Sequence, residues 1–530
     1  MKIFVFLFAF LFAVLASAGA EAQVTREAIE TLERQLLDAR PPVGPEEVRE
    51  ADGSFRTVAL ETLLPDGRAI PVLVQTPPQF EPTKRWPLLL AMHGGPMPDA
   101  RSALSGALRM LSVWDVPAAS AGVIVVSPAM THVVARAPRT EHTLPYEILR
   151  PEQMEAILHD VAALYPIDPN RIVSTGISLG SNFSIGFAAS RPDRFAAIVP
   201  VSTEGESREH LLRNLMHVPT FMLEGKLDRN IRGIQGPRAM ERILLSFEYD
   251  IVYREMADRS HEGFAEQYPE VLRWLDERPR NPYPTEVVRV PHDGIMPLAR
   301  RVHWIESDTR RGIVRARVTS HERIDIDARW VRSLRVFLTD HLVDLDAPIE
   351  IHINGERVYR DTVERSLELA AEDVRERGDP GRVYAASLLV HVPTSVASLA
   401  KARAFSESLE PSHPEGILSF WEMYAQRSIE NRLPSLGLEG HIVPGDLGGE
   451  LAALRVDAIE KAGIFDKAGL QEGDLLLEVD GEPFFNDSTV SELRAWLVRE
   501  LDARPRKLAL RVLRRGAELA LDVTVSLEPF

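Results

Sequence analysis

The sequence predicts an α/β chain: a doubly wound α/β domain, then a small β-sandwich-like domain, then a C-terminal module. Three observations carry this expectation. Between about Arg56 and Arg280, short and almost wholly apolar strands alternate with amphipathic helices, as in a parallel sheet covered on both faces. After "NPYP", Asn281 to Pro284, the pattern turns to strands alone. A helical, proline-punctuated stretch from about Val396 to Leu433 then leads to a final domain. At 530 residues the chain exceeds one compact domain.

The chain opens with Lys2, the apolar run "IFVFLFAFLFAVL" (Ile3 to Leu15) and small residues with A-x-A sites at "ASA" and "AEA". A basic start, an apolar core and that cleavage pattern predict a secretory signal over residues 1–22. The run is shorter than the about 20 residues of a spanning helix; an uncleaved N-terminal anchor is the alternative. No second apolar stretch of spanning length follows. The expectation is an exported protein, periplasmic or extracellular, with no membrane span after signal removal.

Composition narrows the chemistry. The chain has no cysteine, so disulfides, cysteine metal sites and thiol catalysis are all excluded. A nucleophile is to be sought among hydroxyls. The formal charge of −17 argues against a nucleic-acid partner, which needs a basic field.

In the α/β region, assigned to residues 50–280, the strands are read at "RTVALETLL", "AIPVLVQTP", "WPLLLAMHG", "GVIVVSP", "RIVSTG", "FAAIVPVS", "VPTFMLEG" and "DIVYREM". Helices such as "PEQMEAILHDVAALY" and "GPRAMERILLSF" lie between most of the later ones. "RIVSTG" runs into "ISLGSN", so Ser178 stands at a strand-to-helix turn inside Gly176-x-Ser178-x-Gly180. The motif is weak by itself. At such a turn it lifts a hydroxyl above the carboxyl edge of the sheet, beside the N–H groups of a helix start.

"LLLAMHGGP" ends another strand in His93-Gly94-Gly95. Glycines there leave backbone N–H groups open, so Gly94 or Gly95, with Leu179, would form an oxyanion hole. His93 reads as a support for the loop rather than as a base. Asp228, just past "PTFMLEG", is the candidate acid, with Glu224 and Asp258 as alternatives. His261, in the loop after "YREM", is the candidate base. The chain order Ser178, Asp228, His261 suits an acyl-transfer triad.

Residues 56–280 resemble the α/β-hydrolase family, near its esterase and prolyl-oligopeptidase-type branches. The matching pieces, in order, are "HGGP", "GISLGS", "RPDRFAAIVPVS", "EGKLDRNI" and "SHEGFAEQYPEVLRWL". The chain departs from many relatives at Ser181, where they carry a second glycine, and in having HGGP for HGGG. The resemblance implies an acyl-enzyme on Ser178, an ester or peptide substrate, and neither metal nor organic cofactor. The segment Ser127 to Pro151, with Arg136 and Arg139, is either a substrate lid or an idle surface loop.

The next region, assigned to residues 285–400, carries strands "RVHWIES", "GIVRARVTS", "SLRVFLTD", "PIEIHINGERVYRD" and "YAASLLVHV". Asn354-Gly355 between two of the runs predicts a tight hairpin. His352 and His391 read as ordinary strand residues, and the domain as a spacer. A helical linker is assigned to 401–433.

"KAGLQEGDLLLEVDGEPF", Lys467 to Phe484, resembles PDZ domains, especially those of bacterial exported proteases. The likeness covers residues 434–530 and implies binding of an extended peptide from a substrate or partner, with Leu436, Gly437 and Leu438 receiving its terminal carboxylate. The alternative is a module that packs on its own hydrolase. Two functions stay open: a serine hydrolase, with ester slightly favoured over peptide, or a catalytically silent scaffold working through peptide binding.

Overall fold

The computed structural model describes residues 24–39, 56–65, 67, 69–95, 97, 99–130, 149–229, 235–291, 296–409, 438–444, 451–461, 463–485 and 506–525. The signal segment, Arg136, Arg139, most of the Ser127–Pro151 connection and most of the 401–433 linker lie outside them. Among the described residues no helix is long and apolar enough to cross a membrane.

The first described element is a helix that the sequence reading did not assign, α1 (Arg26–Asp38), capped by Thr25. The α/β region then supplies β1 (Arg56–Leu63), β2 (Ala69–Thr76), β3 (Trp86–Met92), α2 (Ala100–Ala121), β4 (Ile124–Pro128), α3 (Pro151–Leu164) and β5 (Ile167–Ile177). It continues through α4 (Leu179–Ser190), β6 (Ala197–Val201), α5 (Glu209–Arg213), β7 (Thr220–Gly225), α6 (Gln235–Ser246), β8 (Ile251–Met256) and α7 (Tyr268–Asp276). The strands form one mixed sheet in the order β1-β2-β4-β3-β5-β6-β7-β8. β1–β2 and β2–β4 pair antiparallel, and every later pair is parallel.

Apolar residues on both faces of the strands explain why the sheet is covered twice. In β3, Leu88, Leu90 and Met92 enter one core with Ile157 and Val161 of α3, Phe183 and Phe187 of α4, and Met240 and Leu244 of α6. Leu89 and Ala91 enter the other core with Ala107, Met110 and Trp114 of α2 and Tyr268 and Val271 of α7. Trp114 stacks on Tyr268 with centroids 3.7 Å apart. The helix after β3 thus covers one face and the helix after β5 the other. The carboxyl ends of these adjacent strands are the place where open α/β sheets hold their ligands.

The β-rich region contributes β9 (Glu286–Arg289), β10 (Arg301–Val302), β11 (Ile305–Ser307), β12 (Ile313–Ser320), β13 (Arg323–Arg329), β14 (Ser333–Leu338), β15 (Ile349–Ile353) and β16 (Glu356–Asp361). α8 (Leu367–Arg377), β17 (Ala386–His391) and α9 (Val396–Glu407) complete it. Two sheets, β10-β11-β14-β17 and β16-β15-β13-β12-β9, curl about one core and are antiparallel except at β13–β15. The β15–β16 turn has Asn354 at φ 50° and Gly355 at φ 82°, the left-handed pair the hairpin needs. Ile29, Leu32 and Leu36 of α1 complete this core, far from their neighbours in sequence.

The last unit has β18 (Leu438–Pro444), β19 (Leu451–Ile459), α10 (Ile464–Lys467), β20 (Leu475–Val479), β21 (Glu482–Phe485), β22 (Arg506–Arg514) and β23 (Ala517–Val525). Its sheet runs β18-β19-β21-β20-β22-β23 about its own core. Glu482 reaches the β-rich domain, accepting from Arg300 Nη2 at 2.8 Å and from the Arg310 N–H at 2.7 Å.

Candidate active site

Ser178 caps the N-terminus of α4 with φ 58° and ψ −122°, a left-handed backbone that costs a non-glycine residue about 1–3 kcal/mol. Two glycines make the turn possible. A Cβ on Gly176 would stand 2.2 Å from the Gly180 carbonyl carbon, and one on Gly180 would stand 2.1 Å from the Met92 oxygen. The Ser178 N–H is held by the Val201 carbonyl at the end of β6, at 2.9 Å. Leu179 follows as the first, half-buried residue of α4.

Gly94 lies against this turn. A Cβ there would come 3.1 Å from the Ile177 carbonyl oxygen, 3.3 Å from the Ser178 Cβ and 3.8 Å from its Oγ, so a side chain would crowd the turn. Gly95 is exposed one residue further on. His93 is buried, and its Nε2 accepts the Met130 N–H at 3.0 Å, leaving Nδ1 to donate to the Gly94 carbonyl at 2.8 Å. Burial lowers its pKa, with the Gly94 bond opposing, so the ring stays neutral as a brace between the turn after β3 and the exit from β4.

Asp228 and His261 come together. Asp228 Oδ2 lies 2.8 Å from His261 Nδ1, with the carboxylate almost wholly buried and the imidazole about one-third exposed. Glu224 and Asp258 do not take this place: Glu224 bonds the Thr203 N–H, and Asp258 is exposed. The turn carrying Asp228 is pinned to the loop of His261 by the Leu227 N–H, which donates to the Arg259 carbonyl at 2.9 Å. Ion pairs from Arg259 to Glu262 and Glu266 stiffen that loop.

The link between the two halves runs through Ser202, which the sequence reading did not select. Its hydroxyl donates to the Glu262 carbonyl at 2.7 Å and accepts the Glu262 N–H at 3.1 Å. Ser202 adjoins Val201, which holds Ser178, and Glu262 adjoins His261. The only signal in the sequence is a small polar pair, Ser202-Thr203, directly after a buried strand. In the last unit, Leu438 is buried at the start of β18, which among the described residues pairs only with β19, whereas Leu436 and Gly437 lie outside the described residues.

Comparison with known proteins agrees at the C-terminus, where residues 455–506 match the family model of the PDZ domain. A PDZ domain closes this chain. Curated proteins give no match. Among solved structures, the chain is similar to a thermostable esterase at 21% identity, covering 42% of this chain and 63% of that one, with a TM-score of 0.34. It is also similar to an S-formylglutathione hydrolase from Agrobacterium tumefaciens (13% identity, 44% and 98% covered, TM-score 0.34). A third is a putative dipeptidyl aminopeptidase IV from Bacteroides ovatus (14%, 44% and 37% covered, TM-score 0.35).

Proposed function

We propose that the chain is an exported serine hydrolase that cleaves carboxylic ester or peptide bonds, with its PDZ domain binding a peptide segment of the substrate or of a partner. One observation carries it. The Asp228–His261 pair is fastened through Ser202 to the strand end that also fixes Ser178 in its left-handed turn.

In this reading His261 Nε2 takes the Ser178 Oγ proton as Oγ attacks the acyl carbon, while Asp228 holds the Nδ1–H and stabilises the imidazolium. The backbone N–H groups of Leu179 and Gly94 or Gly95 receive the oxyanion. Collapse expels the alcohol or amine, which takes the proton from His261 and leaves an acyl-enzyme. Water then attacks, giving a proton to His261, which passes it to Ser178 Oγ as the acyl–oxygen bond breaks and the carboxylic acid leaves. The side chains present suffice for every step. Export rests on residues 1–22, and peptide binding on the edge of β18 that is unpaired among the described residues.

The test is turnover of short acyl nitrophenyl esters and aminoacyl anilides by the parent and by Ser178→Ala. The variant is expected to lose at least about 10⁴-fold in kcat. Equal turnover by the two proteins contradicts the assignment.

A further inference from the structure

Glu224 is the penultimate residue of β7, just before the turn to Asp228, and its side chain has no exposed surface. Phe221 and Leu223 face one core and Met222 the other, which turns Glu224 toward the face that α4 covers. Its Oε1 accepts the Thr203 N–H at 2.9 Å, while Oε2 meets no hydrogen-bond partner among the described residues. The Thr203 hydroxyl donates in turn to Asn182 Oδ1 at 2.9 Å, one turn into the helix that Ser178 caps. The neighbouring Ser202 holds the loop of His261. One buried carboxyl therefore supports a two-residue turn whose first member fixes the histidine's loop and whose second fixes the serine's helix.

The charges around it are of the wrong sign for an ionised group. Asp228 faces it from the next turn and Glu255 from β8, and Glu255 is itself engaged by Arg238 of α6 and the Tyr253 hydroxyl. Among the described residues no lysine or arginine pairs with Glu224. Burial above all, with Asp228 and Glu255 adding to it against the Thr203 bond, pushes the carboxyl well above its ordinary value of 4.5.

We propose that Glu224 is a positioning residue of the candidate acyl-transfer site, holding the Ser202–Thr203 turn and through it setting Ser178 and His261 against each other. This deepens the serine-hydrolase reading and rests on it. The neutral acid is the working form, because an ionised Glu224 would stand beside Asp228 without a counter-ion.

The experiment compares the parent with Glu224→Ala and Glu224→Gln, by fluorophosphonate labelling, by kcat and KM on a nitrophenyl ester, and by Tm across pH. Removing the acceptor frees the Thr203 turn. Glu224→Ala is expected to lose roughly 100-fold in kcat at similar KM, the scale of an ångström-sized misplacement. Glu224→Gln keeps the acceptor and a donor, so it should restore kcat and leave the acid limb of kcat/KM in place. The stability supplied by the neutral acid is complete below the ordinary carboxylate pKa and is lost as pH rises through the folded one. The Tm of Glu224→Gln relative to the parent should therefore climb with pH above about 4.5. A parent that does not label overturns the hydrolase reading and this role together. A parent that labels, with Glu224→Ala as fast as the parent, overturns the positioning role alone. So does a Glu224→Gln variant as slow as Glu224→Ala or with a displaced acid limb.

Discussion

Asp228 and His261 stand 33 positions apart in the chain, yet share a 2.8 Å bond because two loops leave adjacent parallel strands at the same sheet edge. The carboxylate is buried and the imidazole partly open, which suits one group that orients and another that meets substrate. Asp228→Asn should therefore preserve the fold and lower kcat by about 10⁴-fold, since an amide facing Nδ1 favours the wrong tautomer. Circular dichroism beside ester kinetics checks both halves of that expectation. His93 shows the opposite use of the same side chain. Both of its ring nitrogens are occupied by backbone groups, so it braces a loop and has no nitrogen to offer a serine.

At the scale of elements, the turn from β5 into α4 is closed by backbone contact rather than by side-chain packing. Gly180 touches the Met92 carbonyl so closely that a methyl group would force β3 and α4 apart. Gly180→Ala is expected to lower Tm and abolish activity together, by at least about 3 kcal/mol, the upper range of overpacking. Urea melts with the parent as control measure it. These strands and this turn are legible in the sequence because local rules govern them: apolar runs of strand length, glycines around a serine, an Asn-Gly pair at a hairpin. What is not legible depends on partners distant in sequence. α1 packs into the β-rich core through Ile29, Leu32 and Leu36, and Arg85 of the α/β domain caps its end by donating to the carbonyls of Leu37 and Ala39. No local pattern announces that destination. Ser202 and Thr203 are hidden in the sequence for the same reason, since their hydrogen bonds reach to Glu262, Asn182 and Glu224.

At the scale of the whole molecule, the α/β and β-rich domains meet over a buried ionic cluster. Arg280 grips Asp379 with two bonds of 2.7 and 2.9 Å, and Asp193 receives Arg382 at 2.7 Å as well as Arg377. Burial opposes the charge on Asp379, but Arg280 and Arg382 outweigh it and hold the carboxyl well below its ordinary 3.8. Its stabilising contribution is thus present above the unfolded pKa and disappears as pH falls through the folded one. Asp379→Asn should cost about 3 kcal/mol near neutrality by leaving buried guanidinium groups uncompensated. The Tm gap between parent and variant should shrink as pH drops below about 4, and calorimetry across that range tests it. Glu482 adds a second junction, joining the PDZ domain to Arg300 and Arg310 of the β-rich domain.

The most direct measurement is to treat the parent and Ser178→Ala with a fluorophosphonate probe and map the modified residue by mass spectrometry. One adduct, on Ser178, is expected in the parent alone. An unlabelled parent, or equal labelling of both proteins, would contradict it and leave the PDZ domain as the functional centre of the chain.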